Sequence, residues 1–394
     1  MKKPIALIMG VILTLSLCAC GNGGGSSQSS SQSSAQPSQL SSAPDATKAA
    51  QPVQEQNIDK EKQDTVERVM EAYGFNGVVS VTKNGKVIAQ HARGVAHPTT
   101  GEKTTADSLF CIGSVSKQFT ATCIMLLQEE GLLSVEDNIG KYYPDCVYGD
   151  DVTLKNMLSM RSGIAEFYDS YVDGGNLHEI PREELKDKLT NSNTAQQNRD
   201  TLENWLIQQP LDFEPDSMYS YCNSNFFLLA RIVEKVSKTP FEQFVKERIF
   251  TPLGMTHSGF IDEMLGSESL AENPNPNPQT VYVGITMGLG DMISNAADMN
   301  LWLTSFFDNK LLSPESYAAM TTNYSTPEDG GTYGFGVQPA NGGFFHWGYF
   351  TSYCAYDYTE PGSKYTFFAV SNDTFNAKGE MSEMCNILAS ATYN

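Results

Sequence analysis

The pattern of apolar and polar positions becomes regular at Ile58. Over "IDKEKQDTVERVMEAYGF" it follows a helical period, and the next stretch, "GVVSVTKNGKVIAQHARGVA", carries two β-rich runs on either side of Asn84-Gly85, a strong hairpin signal. Residues 110 to 131, "FCIGSVSKQFTATCIMLLQEEG", place Phe119, Ala121, Ile124, Met125, Leu126 and Leu127 around a helix rather than along one stripe, so this helix is expected to be buried. A helical, loop-rich middle follows, including "NSNFFLLARIVEKVSKTPFEQFVKERIF", and a Pro/Asn loop, "ENPNPNPQ", breaks it at 272–279. Strand-like runs then return in "TYGFGVQP", "FFHWGYF", "TSYCAYDYTE" and "KYTFFAVSND", with a last helix from about Ala377. Strands at both ends with helices between predict an α/β (α+β) body. One antiparallel sheet would be built from both ends of the body and flanked by helices, with a mainly helical subdomain inserted at about 120–285. No internal repeat is visible.

The first residues, "MKKPIALIMGVILTLSLCACGNGGG", follow a different logic. Two lysines, a short apolar stretch and small residues make an export signal, and the apolar run is short for a membrane span. The ending Leu17-Cys18-Ala19-Cys20 resembles the bacterial lipoprotein box, which implies a signal peptide over 1–20 with Cys20 lipidated. An uncleaved anchor helix would also leave the body outside the cytoplasm. Residues 21–57 are rich in Gly, Ser and Gln and read as a disordered tether; a flexible coil of that length spans roughly 30 to 35 Å. The folded body is expected over 58–394, lipid-anchored on the extracytoplasmic face of the bacterial cell membrane, with the lipid as its one membrane contact.

Composition narrows the chemistry. The formal charge of −20, with 26 Lys and Arg against 46 Asp and Glu, argues against a nucleic-acid partner, because phosphate binding needs a basic face. Six cysteines lie in the body (Cys111, Cys123, Cys146, Cys222, Cys354 and Cys385), and the sequence does not choose among their pairings. With no CxxC and no HExxH, neither a metal site nor a cofactor is expected. Nothing in the chain indicates an oligomeric state.

Within the buried helix, Ser114 and Lys117 stand three positions apart, on one face and within reach of each other. A serine at the helix start sits near the positive end of the macrodipole, where a developing oxyanion is favoured. A lysine desolvated at the mouth of such a helix has a lowered pKa and can take the serine's proton. Alone, the pair also fits a helix cap followed by a surface lysine. Two further stretches bear on the choice: Tyr221-Cys222-Asn223 before an apolar helix, and His346-Trp347-Gly348 within a strand. His91, His97, His178 and His257 fall in the first hairpin or in loops and read as surface or structural residues. No GxSxG elbow supports a rival serine triad.

These pieces, with "IFTPLGM" and "GLGDMISNAADM", resemble the serine β-lactamase and penicillin-binding-protein superfamily over about residues 60 to 390. The branch is that of class C β-lactamases, D-alanyl-D-alanine carboxypeptidases, D-aminopeptidases and related esterases. The resemblance implies that Ser114 is the acylated nucleophile, Lys117 its proton acceptor, and Tyr221 a proton shuttle that also activates the deacylating water. It implies an oxyanion hole from the backbone N–H groups of Ser114 and Tyr349, with Asn223, Trp347 and Gly348 contacting substrate. His346 stands where many relatives have lysine. It would orient Tyr221 or meet the polar end of the substrate, making activity vary with pH between about 5 and 8. The chain departs from the family at Tyr349, where small residues are common, at "MRSGI" (160 to 164) in place of His-Thr-Ser-Gly, and at Ser352 in place of a frequent glycine. These departures bear on cleft width.

The expected activity is therefore hydrolysis through a Ser114 acyl-enzyme, most naturally on D-amino-acid-containing or cell-wall peptides of carboxypeptidase or aminopeptidase type. A β-lactamase, a small-ester esterase and a catalytically idle penicillin-binding sensor are the alternatives, so the partner is a small peptide, β-lactam or ester.

Overall fold

The computed structural model describes residues 56–393, except 174–175, 265–269, 273–281, 326–330, 341 and 374–379, and gives the backbone alone for 170–178. The expected signal peptide, Cys20 and nearly all of the expected tether lie outside the described residues, as does most of the Pro/Asn loop.

Helix α1 (Lys60–Ala72) starts where the Asp59 carboxylate accepts from the N–H groups of Glu61 and Lys62, and buries Val66 and Met70. Strands β1 (Gly77–Lys83) and β2 (Lys86–Arg93) follow. Between them Asn84 and Gly85 take φ of 53° and 72°, the left-handed pair that a two-residue hairpin turn demands. Helix α2 (Ser116–Glu129) is buried from Ser116 through Leu127, as its all-round apolar pattern requires.

The middle departs from the mainly helical expectation. Strands β3 (Tyr168–Asp173) and β4 (Asn176–Pro181) form a hairpin in a stretch too polar to read as strand, and His178 belongs to β4 rather than to a loop. Helices α3 (Asn223–Ser237) and α4 (Ala296–Ser305) follow the apolar pattern. Strand β5 covers only Gln338–Ala340, so the strand expected over "TYGFGVQP" is confined to its end. The reason is packing: Gly336, at φ 69°, turns the chain so tightly against α2 that a Cβ there would lie 2.7 Å from the Lys117 carbonyl oxygen. Strands β6 (Gly343–Phe350), β7 (Tyr353–Glu360) and β8 (Tyr365–Ser371) and helix α5 (Glu380–Thr392) complete the body.

The six-stranded sheet runs β5-β6-β7-β8-β1-β2 and is antiparallel throughout, β8 pairing with β1 from Gly77↔Ser371 to Lys83↔Tyr365. It is thus built from both ends of the body. β8 is buried at every position because helices cover both faces. On one side α1 and α5 contribute Val66, Met70, Met381, Met384 and Leu388 to a core with Val79, Val81, Phe367 and Ala369. On the other, α2 and α4 build the larger core, where Phe119 stacks on Trp302 at 3.9 Å. Among the described residues no helix is long and apolar enough to cross a membrane, and all six body cysteines are free thiols.

Candidate active site

Ser114 lies two residues before α2, in a 3-10 turn over Gly113–Val115, and Lys117 is in the first turn of the helix behind it. Lys117 is wholly buried, and its Nζ lies 2.9 Å from Ser114 Oγ, 2.8 Å from Asn223 Oδ1 and 2.8 Å from the Leu289 carbonyl oxygen. Burial pushes the ammonium pKa down to about 7, against the pull of the Glu179 and Glu166 carboxylates. Two of its three partners are carbonyl oxygens, which only accept. A neutral amine therefore spends both N–H groups on Asn223 and Leu289 and turns its lone pair to the Ser114 hydroxyl.

Tyr221 and Asn223 come from the approach to α3, whose N-cap is Cys222. Tyr221 is 37% exposed, and its hydroxyl faces the Ser114 side chain, which pulls against the upward push of burial on the phenol. Lys117 Nζ sits 4.9 Å from the centre of the Tyr221 ring. Burial raises the phenol well above its usual range, so at neutral pH it carries its proton. The "MRSGI" segment braces this approach. Ser220 N–H donates to the Met160 carbonyl at 2.9 Å, Ser162 Oγ donates to Asn225 Oδ1 at 2.7 Å, and the Arg161 guanidinium pairs with Asp216 at 2.8 Å.

Strand β6 forms the opposite wall. β5 pairs only with Gly343–Phe345, so from His346 onward no described strand occupies that edge, and the Ser114 turn packs there. The approach is close enough to require two glycines. A Cβ at Gly348 would lie 1.9 Å from the Ile112 carbonyl oxygen, and one at Gly113, where φ is 53°, would lie 2.6 Å from the Tyr349 nitrogen. The backbone nitrogens of Ser114 and Tyr349 are thereby gathered in one place. The Tyr349 side chain points to the far face of the sheet, packed against the smaller core, and does not narrow the cleft. Ser352 is buried too, its hydroxyl donating to the Asn372 carbonyl at 3.0 Å.

Two expectations on this strand are corrected. Trp347 alternates with Gly348 to the face away from Ser114, where its ring lies 4.3 Å from that of Tyr356 against the smaller core; it does not line the cleft. His346 faces the right side but is 2% exposed, and its Nε2 lies 3.1 Å from the Tyr333 hydroxyl. Burial, with Lys117 nearby, lowers its pKa to about 3, so it is neutral between pH 5 and 8 and cannot be the titrating cleft charge. Tyr333 stands between it and Tyr221, ring to ring with Tyr221 at 6.2 Å.

Other groups were not singled out by sequence. Glu166 accepts from the backbone N–H groups of Asn223, Phe167 and Tyr168, the latter two at 2.8 and 3.2 Å, and burial raises its carboxyl to about 7. Glu179, on β4, receives the Asn223 side-chain N–H at 3.4 Å; burial raises its pKa while Lys117 lowers it. Leu289 takes part through its carbonyl alone. The "GLGDM" stretch that holds it was visible, but a backbone acceptor leaves no mark in a residue pattern.

Such a site can transfer an acyl group: a hydroxyl against a depressed amine, a neutral phenol beside both, and two backbone nitrogens at a shared corner. Known proteins agree with this. The family described as Beta-lactamase matches residues 63–384. PbpX of Bacillus subtilis (strain 168), named for a penicillin-binding protein, is 28% identical over 313 residues, 76% of this chain and 71% of the relative. The teichoic acid D-alanine hydrolase of Staphylococcus aureus (strain MRSA252) is 26% identical over 296 residues, 71% of this chain and 68% of the relative. Among solved structures, FmtA from Staphylococcus aureus superposes with a TM-score of 0.69 at 20% identity, covering 87% of this chain and 91% of FmtA. D-amino acid amidase from Ochrobactrum anthropi SV3, complexed with L-phenylalanine amide, gives a TM-score of 0.68 at 20% identity, covering 84% of this chain and 99% of the amidase. At those identities the two superpositions speak for the fold. With the matched span running through nearly the whole folded body, the chain belongs to the beta-lactamase family and is a serine hydrolase of that fold.

Proposed function

We infer that the protein hydrolyses D-amino-acid-containing substrates of the cell envelope through an acyl-enzyme on Ser114. The observation that carries this reading is the 2.9 Å contact between Ser114 Oγ and a fully buried Lys117 whose other two partners only accept. In acylation, Ser114 Oγ bonds to the substrate carbonyl carbon as its proton passes to Lys117 Nζ. The oxygen that gains charge lies against the Ser114 and Tyr349 N–H groups. Collapse breaks the bond from the carbonyl carbon to the leaving nitrogen or oxygen, and the proton reaches that atom through the Tyr221 hydroxyl. Water then repeats the sequence in reverse, releasing the acid and restoring Ser114.

The substrate class draws on the relatives, one named for D-alanine hydrolysis from teichoic acid and another for D-amino acid amides. The leader and tether read from the sequence support a lipid-anchored enzyme at the extracytoplasmic face. A catalytically idle sensor fits less well, since Ser114, Lys117 and Tyr221 are all present and in contact. The test is a panel assay of the protein with D-alanyl amides and esters, an N-acylated D-Ala-D-Ala peptide, nitrocefin and p-nitrophenyl acetate. The reading expects turnover of at least one D-configured substrate, lost in Ser114→Ala. Turnover of nitrocefin or the simple ester alone contradicts the substrate class.

A further inference from the structure

Charge around the nucleophile is lopsided. Of the described charged side chains at Ser114, Tyr221 and Asn223, the one cation is Lys117, already engaged by three oxygens. Against it stand Glu166 and Glu179. Their situations differ. Glu166 is tied down by three backbone N–H groups and braces the start of α3. Glu179 is half-buried, has one long hydrogen bond of 3.4 Å from Asn223, and forms no ion pair within 4.0 Å with any described cation. A carboxylate so weakly satisfied beside the Asn223 amide has acceptor capacity to spare.

The opposite wall sharpens the asymmetry. A substrate carboxylate would need a cation, yet His346 is enclosed and neutral, hydrogen-bonded to Tyr333 rather than open to the cleft. Among the described side chains, an anionic substrate would meet two acidic groups and no free positive charge; a cationic one would meet an under-bonded carboxylate. Glu179 is linked to Ser114 by three successive hydrogen bonds, through the Asn223 amide and Lys117. An α-ammonium group lies only two bonds from the carbonyl carbon that a serine attacks, so the carboxylate flanks the place where such a group arrives.

Resting on the acyl-enzyme reading above, we propose that Glu179 is a specificity-determining residue that receives the free ammonium group of a D-aminoacyl ester or amide. The enzyme is then of aminoacyl-hydrolase rather than carboxypeptidase type. Burial favours a protonated Glu179 and Lys117 an ionised one; an arriving ammonium adds to the second and strengthens the pair in a site of low dielectric.

The experiment compares kcat/KM for D-alanyl p-nitroanilide and propionyl p-nitroanilide, which share a leaving group and an acyl length and differ in the ammonium. Wild type, Glu179→Gln and Glu179→Asp are measured, with fluorophosphonate labelling of Ser114 followed by intact mass in each. Wild type should prefer the D-alanyl substrate by about 10- to 100-fold, the range of one charge-assisted hydrogen bond. Glu179→Gln, which keeps an acceptor for the Asn223 amide, should bring the ratio close to unity, and Glu179→Asp should keep part of it. Equal losses on both substrates in Glu179→Gln would make the residue a support for Asn223 and overturn the proposal. An unchanged ratio would overturn it as well. If wild type labels at Ser114 but cleaves neither anilide and instead releases D-alanine from an N-acylated D-Ala-D-Ala peptide, the ammonium site is wrong and the acyl-enzyme stands. If Ser114 does not label, both fall.

Discussion

Asn223 Oδ1 lies 2.8 Å from Nζ of Lys117, and that contact decides which way the lysine's lone pair turns. The amide is held in this sense because its nitrogen faces Glu179 at 3.4 Å. A side chain that contributes no proton of its own thus orients the base toward Ser114.

The pH dependence of acylation follows. Lys117 must be neutral to take the Ser114 proton, and its pKa is lowered to about 7. Acylation should therefore be weak at pH 5.5, rise through about pH 7 and level off above it. Lys117→Arg, permanently charged, should lose at least about 10²- to 10⁴-fold in kcat/KM across that range. A pH–rate profile on one uncharged ester checks both statements.

Removing the Tyr221 hydroxyl should cost about 10²- to 10⁴-fold, the range for a positioned acid–base group. Because the hydroxyl faces Ser114 and the residue as a whole is 37% exposed, Tyr221→Phe should lower kcat with little change in melting temperature. Steady-state kinetics beside a thermal melt separates the two.

His346 should act on stability rather than on the activity profile. Its folded pKa of about 3 lies below the ordinary 6.5, so the unfolded chain binds the extra proton. The neutral ring's contribution is complete above pH 6.5 and is lost as pH falls toward 3. Urea unfolding at pH 7.5 and pH 5 should show wild type losing up to a few kcal/mol more than His346→Gln on acidification. The kcat/KM profile between pH 5 and 8 should keep its shape in the variant.

Gly348→Ala tests the corner shared by Ser114 and Tyr349. The new Cβ would meet the Ile112 carbonyl at 1.9 Å, so strand and turn must separate. We expect a loss of about 1–3 kcal/mol in stability and a fall in kcat of about 10²-fold or more as backbone donation to the oxyanion is disturbed. Paired melting and rate measurements read it.

What the sequence disclosed follows contact range. Ser114 and Lys117 are one helical turn apart, so their spacing alone places them together, and Asn84-Gly85 dictates its own turn. Tyr221 and Asn223 were legible through a motif. Glu166 and Glu179 were not: each reaches Asn223 across more than forty residues, one from the loop before β3 and the other from a hairpin with no strand-like apolar pattern. His346 and Trp347 show a further limit. Which of two neighbours on a strand faces the cleft depends on register, and whether the one that does remains open to it depends on Tyr333, thirteen residues away.

The central claim is that Ser114 becomes covalently acylated by substrate. Intact-mass spectrometry of the protein quenched during turnover of a slow D-aminoacyl ester, followed by peptide mapping, tests it most directly. The account predicts a mass increase equal to the acyl group, located on Ser114, absent in Ser114→Ala and accumulating in Tyr221→Phe if deacylation slows more than acylation. An adduct on another residue, or full turnover by Ser114→Ala, would contradict it.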